Sequence, residues 1–97
     1  MLYVDLGEFA RHLVELYSSG RVGEFARVFD VIESLHVHGD SYVREAATVG
    51  LLEGIQNIAS HSSVDAEVFV KYLQPESLRW WNKLKDFWSK GKLLTDD

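Results

Sequence analysis

Three polar side chains that could take part in acid–base or metal chemistry recur at a helical interval in the middle of the sequence. Glu53, Asn57 and His61 are spaced four residues apart, which places them along one face of a helix. A carboxylate and an imidazole on one face could support hydrolysis, so an enzyme that uses Glu53 and His61 is one hypothesis. The same spacing is typical of the polar outer face of a helix that is buried elsewhere. On this second interpretation the three residues contact a partner or solvent.

His36 and His38 form a second pair of possible metal ligands. Side chains two residues apart on a helix point in different directions, so both could bind one ion only at an extended helix end, with Asp40 as a third ligand. A cationic histidine near a helix C-terminus is the simpler interpretation, because the helix dipole favours positive charge there. The chain has no cysteine, which excludes zinc–cysteine sites, iron–sulfur clusters and thiol nucleophiles. We therefore expect no metal ion and no cofactor.

Three tryptophans near the end of the sequence form its strongest aromatic signal. Trp81 and Trp88 are seven residues apart and share a helical face, whereas Trp80 is rotated by about 100° from Trp81. Packing of the three rings in the core or half-buried against it is the simpler interpretation. The alternative is that one ring, with Trp80 as the first candidate, is exposed to solvent. Because tryptophan is enriched at the energetic centres of protein interfaces, Trp80 is a candidate contact residue.

Apolar residues recur at helical intervals along the whole chain, and no segment alternates in the manner of a β-strand. The spacing predicts an all-α fold of about five helices in antiparallel pairs, which could pack as a compact helical bundle. One domain is expected over residues 1–97, with residues 92–97 as a frayed tail. The predicted helices are Val4–Ser19, Val22–Val37, Ser41–Ser60, Asp65–Leu73 and a last helix that starts at Pro75 and ends at Gly91.

Three glycines predict specific features of the fold, namely a close contact between helices and the end of a helix. Gly50 and Gly54 lie four residues apart on one face of the predicted third helix, where each costs roughly 1 kcal/mol relative to alanine. Close approach of a neighbouring helix is the simplest compensation. Gly20 follows the first helix and is expected to adopt the left-handed conformation that commonly ends helices.

The charge of the chain is acidic and unevenly distributed. Residues 1–67 hold eleven acidic and four basic side chains, a net charge of −7, whereas residues 68–97 carry +2. An acidic body argues against binding of nucleic acid, and the lysines of the last helix are expected to form its solvated face. We expect a basic protein partner that contacts the acidic side of the second and third helices. The candidate partner-binding residues are Glu24, Asp30, Glu33, Asp40, Glu53, Asn57, His61 and Trp80.

The start of the predicted third helix carries a recognisable pattern. It consists of Asp40, then Val43-Arg44, then the small pair Ala46-Ala47, and then Leu51 and Ile55. This pattern resembles the second helix of a HEAT repeat, in which an acid caps the helix and the small residues let a partner helix approach. The resemblance implies that helix Val22–Val37 is the antiparallel partner. It implies architecture only, because HEAT-like pairs carry many functions.

A second pattern is spread over residues 49–81. It comprises the run Val49–Ile58, then Tyr72-Leu73, Pro75-Glu76-Ser77 and Trp80-Trp81. In this pattern the chain is similar to small, acidic, all-helical bacterial immunity proteins of contact-dependent growth inhibition and related polymorphic toxin systems. The resemblance implies a non-enzymatic protein that binds and neutralises a cognate toxin domain, typically a basic nuclease. A helical adaptor or regulator with no toxin partner is the alternative.

The sequence also gives an expectation for the cellular location of the protein. No apolar run approaches the roughly 20 residues that cross a membrane. The first residues, MLYVDLGEFAR, lack the basic and apolar regions of a signal peptide. We therefore expect a cytoplasmic protein with no membrane, nucleic acid or small-molecule substrate as partner.

Overall fold

Every regular element in residues 2–90, the part of the chain that the computed structural model describes, is a helix. The predicted all-α class is confirmed, in the form of a compact bundle with five α-helices. None of the helices in residues 2–90 combines the length and the apolar character needed to cross a membrane. The predicted helix end at Gly91 and the predicted tail at residues 92–97 lie outside the described residues. The elements are α1 (Leu2–Ser18), α2 (Phe25–His38), α3 (Ser41–Glu45), a π-helical segment (Ala46–Leu52), α4 (Glu53–Ser60), a 3₁₀ helix (Ala66–Tyr72) and α5 (Pro75–Lys90).

The chain leaves α1 through a turn that requires a glycine. Gly20 has a φ of +75°, a conformation that other residues rarely adopt. The N–H of Gly20 donates to the Tyr17 carbonyl at 3.0 Å, and the N–H of Arg21 donates to the Leu16 carbonyl at 2.8 Å. This pair of bonds is the Schellman pattern, and it confirms the predicted role of Gly20.

Residues 41–60 form one continuous helix, called the central helix below, whose middle is wound more loosely than its ends. The Asp40 carboxylate caps its start by accepting from the N–H of Val43 at 2.9 Å. Over the π-helical segment the backbone bonds reach five residues back, as from the N–H of Glu53 to the Thr48 carbonyl. Six of the seven residues of this segment are buried. The loosely wound turns therefore lie in the middle of the bundle.

α1 lies close against the central helix at two glycines. A Cβ atom at Gly50 would come within 2.6 Å of Cδ1 of Leu6, and a Cβ atom at Gly54 within 3.1 Å of Cβ of Ala10. The predicted close approach of a neighbouring helix is confirmed, and that neighbour is α1. The partner implied by the HEAT resemblance, α2, contacts α3 and the π-helical segment.

A carboxylate from α2 anchors the N-terminus of α5. The helix begins at Pro75, as predicted, where a missing N–H costs nothing. The Glu33 carboxylate accepts from the backbone N–H groups of Glu76 and Ser77 and from the Ser77 hydroxyl, each at 2.9 Å. The first N–H groups of a helix have no partners within the helix. Glu33 therefore caps α5 from 43 residues away in the sequence.

The core is rich in aromatic rings. Phe25 and Phe29 of α2 stack against Phe69 of the 3₁₀ helix, with ring centroids 6.0 and 6.4 Å apart. Trp81 and Leu84 of α5 are buried beside them in the same apolar cluster, as the sequence predicted. The bundle thus brings α2, α5 and the 3₁₀ helix together around these rings.

Candidate functional site

Glu53, Asn57 and His61 form a row along the outer side of the central helix, as their spacing predicted. Glu53 and Asn57 belong to α4, and His61 is the residue that ends it. Glu53 is half-buried, whereas Asn57 and His61 are exposed. With a rise of about 1.5 Å per residue, the row is roughly 12 Å long. We call this row, together with the two clefts beside it, the α4 surface.

The two clefts meet at Asn57, which lines both. The Trp88 cleft has a volume of about 610 Å³, and the His61 cleft has a volume of about 440 Å³. The Trp88 cleft has walls from α1 (Gly7), from the central helix (Gly50, Glu53, Gly54) and from α5 (Lys85, Trp88). The His61 cleft has walls from α1 (Arg11, Glu15) and from the end of α4 (Ile58, His61).

Trp88 stands at the open side of the first cleft. Its side chain is 65% exposed, more than any other large apolar residue among those described. The indole Nε1–H donates to Oε2 of Glu53 at 3.0 Å. The ring also meets Phe87 edge to face, with centroids 5.2 Å apart. These contacts orient a large aromatic ring while leaving most of it in solvent.

The prediction that Trp80 is the exposed ring of α5 is wrong. Trp80 is half-buried and packs against the apolar core. The Arg79 guanidinium and the Lys83 ammonium lie over its ring, 5.1 and 5.6 Å from the centroid. Trp88 is exposed even though it shares a helical face with the buried Trp81, because Leu84 is the last buried residue of this helix among those described.

Two further contacts define the α5 wall of the Trp88 cleft. The Lys85 ammonium lies 2.9 Å from the Glu67 carboxylate of the 3₁₀ helix, so its charge is balanced there. The Gln56 amide donates to the Trp81 carbonyl at 3.2 Å and ties α4 to α5. The wall that carries Trp88 is therefore attached to the wall that carries Glu53.

The structure does not bring Glu53 and His61 to one point. Glu53 lines the Trp88 cleft, and His61 lines the other cleft. The His61 ring nitrogen Nδ1 lies 2.9 Å from the Asn57 carbonyl oxygen, next to the end of its own helix. A general acid and a general base must both reach the reacting group, and this arrangement separates the two candidates.

Four of the predicted acidic contact residues lie away from the α4 surface. Asp30 accepts a hydrogen bond from the Gln74 amide, next to the Glu33 cap of α5. Asp40 caps the central helix. Glu24 is exposed and lies 3.8 Å from Arg27. The single acidic face expected on the second and third helices is thus divided, and two of its carboxylates, on Glu33 and Asp40, hold helix ends.

Two titratable groups near the α2–α5 contact have shifted pKa values. Burial alone would raise the pKa of the Glu33 carboxyl, but its hydrogen bonds from Ser77 and Glu76, together with nearby His36, lower it overall. Burial lowers the pKa of His36, against the opposing effects of its bond to Ile32 and of the Glu33 and Glu76 charges. His36 is therefore held towards its neutral form, so the expectation of a cationic histidine at this helix end is corrected for His36.

The two histidines of the His-x-His pair have different surroundings. His36 is buried, and its ring nitrogens lie 2.9 Å from the Ile32 carbonyl and 3.0 Å from the Thr48 hydroxyl. His38 is exposed. Within residues 2–90 no group of three or more histidine or acidic side chains is arranged to hold a metal ion.

Comparison with known protein families places the chain in one of them. The family described as a domain of unknown function, DUF7674, matches residues 1–89. The chain belongs to this family. No curated protein and no solved structure matches it. The match includes Trp88 and the whole of the central helix, so the α4 surface lies within the family's domain.

The α4 surface of this DUF7674 domain carries groups that could contact a partner. It presents an oriented aromatic ring, a carboxylate and the Asn57 amide beside two open clefts. Aromatic rings that are exposed next to polar groups are typical of the centres of protein interfaces. The helical spacing of the sequence predicted the row of Glu53, Asn57 and His61. It did not predict the exposure of Trp88, because spacing does not show where a core ends along a helix.

Proposed function

We propose that this chain is a non-catalytic immunity protein that binds and neutralises a cognate bacterial toxin domain in the cytoplasm. The observation that carries the proposal is Trp88, an aromatic ring that is 65% exposed and held in place by Glu53 at the side of a cleft. A large exposed ring in a fixed orientation loses little side-chain entropy when a partner covers it. It is suited to be the centre of a protein interface.

The charge of the chain supports a basic partner. Residues 1–67 carry a net charge of −7, and Glu53 places one of their carboxylates on the α4 surface beside Trp88. Nuclease toxins need basic clefts to hold phosphate, so an acidic inhibitor gains association rate and orientation from charge complementarity. The proposed partner is therefore a basic nuclease domain.

The contact surface in this proposal differs from the one expected from the sequence alone. Glu33 and Asp40 accept hydrogen bonds from backbone N–H groups at helix ends, so their charges serve the fold. The proposed surface consists of Glu53, Asn57 and His61 on the central helix together with Trp88 on α5. The separation of Glu53 from His61 by Asn57 supports binding in preference to catalysis.

The proposal is tested by expressing the product of the gene adjacent to this one in bacteria, with and without this chain. The proposal expects the neighbour alone to stop growth and co-expression to restore it. We expect Trp88→Ala to weaken toxin binding by about thirtyfold or more, the effect of losing an interface centre, with an unchanged circular dichroism spectrum. Tyr42→Ala removes another exposed ring, 57% exposed and outside both clefts; it is the matched control and should bind with nearly unchanged affinity. A neighbour that is harmless, or that remains lethal in the presence of this chain, would overturn the proposal.

A further inference from the structure

The Trp88 cleft pairs an aromatic ring with a carboxylate in a specific geometry. Oε2 of Glu53 accepts from the indole N–H of Trp88 at 3.0 Å. An indole N–H points outward in the plane of its ring, so the carboxylate lies at the edge of Trp88 and does not cover its faces. A group stacked on the exposed ring can therefore reach Glu53 at the same time.

The charge at this position is negative. Lys85 also lines the cleft, but its ammonium is paired with the Glu67 carboxylate at 2.9 Å. The carboxylate of Glu53 instead accepts from the neutral indole N–H of Trp88. A cation over a face of Trp88 and next to Glu53 would gain both the attraction of the ring face and that of the carboxylate.

The cleft has room for a ligand side chain. Its volume is about 610 Å³, and Gly7, Gly50 and Gly54 line it with main chain in place of side chains. The amides of Gln56 and Asn57 provide polar groups further along the wall. The cleft can accept an extended side chain whose charged end lies next to Glu53.

We infer that the Trp88 cleft binds an arginine side chain of the protein partner, with the guanidinium stacked on Trp88 and donating to Glu53. This inference rests on the proposed function for the presence of a basic protein partner. Arginine fits better than lysine, because a planar guanidinium stacks on an indole and donates to a carboxylate as a fork. A lysine ammonium is a compact, strongly hydrated charge that cannot stack in this way.

The inference is tested by titrating the ¹⁵N-labelled protein with acetyl-Gly-Arg-Gly-amide and following the indole N–H signal of Trp88 by NMR. The Trp88 signal is assigned from the Trp88→Phe variant. Three further peptides carry citrulline, lysine or glutamate in place of arginine. We expect the arginine peptide to shift the Trp88 signal in a saturable manner, the lysine peptide to bind more weakly, and the citrulline and glutamate peptides to leave it in place.

Two variants examine the site itself. Glu53→Gln keeps an acceptor for the indole but removes the charge, and it should weaken arginine binding by about fivefold to tenfold. Gly7→Leu adds a side chain where a Cβ atom has no neighbour within 4 Å, so it should fill the cleft and abolish binding while the fold is kept. Equal shifts with arginine and citrulline, or unchanged binding by both variants, would overturn the inference.

This experiment is independent of the test of the proposed function. If the co-expressed neighbour is neutralised through Trp88 but no peptide selectively shifts the Trp88 signal, the arginine site is wrong and the immunity function stands. If the arginine peptide binds as expected but the neighbour is harmless, the cation site stands and the immunity function is wrong.

Discussion

His36 and Thr48 form a buried hydrogen bond, 3.0 Å between Nε2 and Oγ1, that joins α2 to the π-helical segment. Nδ1 of the same ring lies 2.9 Å from the Ile32 carbonyl, which can only accept. Nδ1 therefore carries the proton, and in the neutral ring Nε2 accepts from the Thr48 hydroxyl. Both ring nitrogens of a residue that is only 2% exposed are thereby satisfied.

The first prediction concerns this bond. Thr48→Val keeps the shape of the side chain but leaves Nε2 of His36 buried without a donor, which should lower the free energy of unfolding by about 1–3 kcal/mol. Thr48→Ser retains the hydroxyl and separates the loss of a methyl group from the loss of the bond. Urea denaturation measures both variants. A valine variant as stable as the parent would show that the bond contributes nothing to stability.

The second prediction concerns the stability of the protein at acidic pH. Because burial lowers the pKa of His36 in the folded protein below its ordinary value of 6.5, the unfolded chain takes up a proton first as the pH falls. The free energy of unfolding should therefore decline below about pH 6.5, by at most about 1.4 kcal/mol per pH unit for one group. Thermal melts between pH 7.5 and 5.5 should show a flatter dependence for His36→Gln. The matched control is His38→Gln at the exposed histidine of the same helix, and an equal flattening in both variants would show that burial of His36 is not the cause.

The third prediction concerns the cap of α5. Glu33→Ala removes the acceptor of the Glu76 and Ser77 N–H groups and should destabilise the protein by about 1–3 kcal/mol. The amide protons of these two residues should also exchange faster with solvent. Glu24→Ala, which removes an exposed carboxylate 3.8 Å from Arg27, should change stability by less than about 0.5 kcal/mol. Equal effects of the two variants would argue against the cap.

The fourth prediction concerns the contact between α1 and the central helix. Gly50→Leu and Gly54→Leu should each destabilise the protein, because overpacking costs about 1–3 kcal/mol and the gain in helix propensity is below about 1 kcal/mol. Gly7→Ala is the matched control on α1, since its new methyl group meets no atom within 4 Å. It should raise the melting temperature. A higher melting temperature for both leucine variants would contradict the close packing.

Local chemistry made several elements of the fold predictable. Gly20 and Pro75 mark helix ends through their own backbone preferences, and Asp40 caps a helix three residues from its partner N–H. The π-helical segment was not predictable in this way. Apolar spacing reports which side chains share a face, and a helix buried on several sides gives no signal of a change in hydrogen-bond register. The cap that Glu33 provides for α5 was not predictable from local spacing either, because its partners lie 43 and 44 residues away.

The candidate site was predictable in part for related reasons. The row from Glu53 to His61 follows from a helical interval, and the structure confirms that the three residues share one side of the helix. The exposure of Trp88 depends on how far along α5 its neighbours extend, which is a property of the assembled bundle. Trp81 and Trp88 share a face, yet Trp81 is fully buried and Trp88 is 65% exposed. Periodicity alone therefore cannot distinguish a buried ring from an exposed one.

The glycines of the Trp88 cleft determine how its selectivity could be redesigned. Gly50 and Gly54 face α1 so closely that a side chain at either would press on Leu6 or Ala10. Gly7 lines the same cleft, yet a side chain there would extend into open space. A series of alanine, valine and leucine at Gly7 would therefore shorten the cleft in steps without separating the helices. Such a series would show how the affinity of the cleft for a bound side chain depends on the length of that side chain.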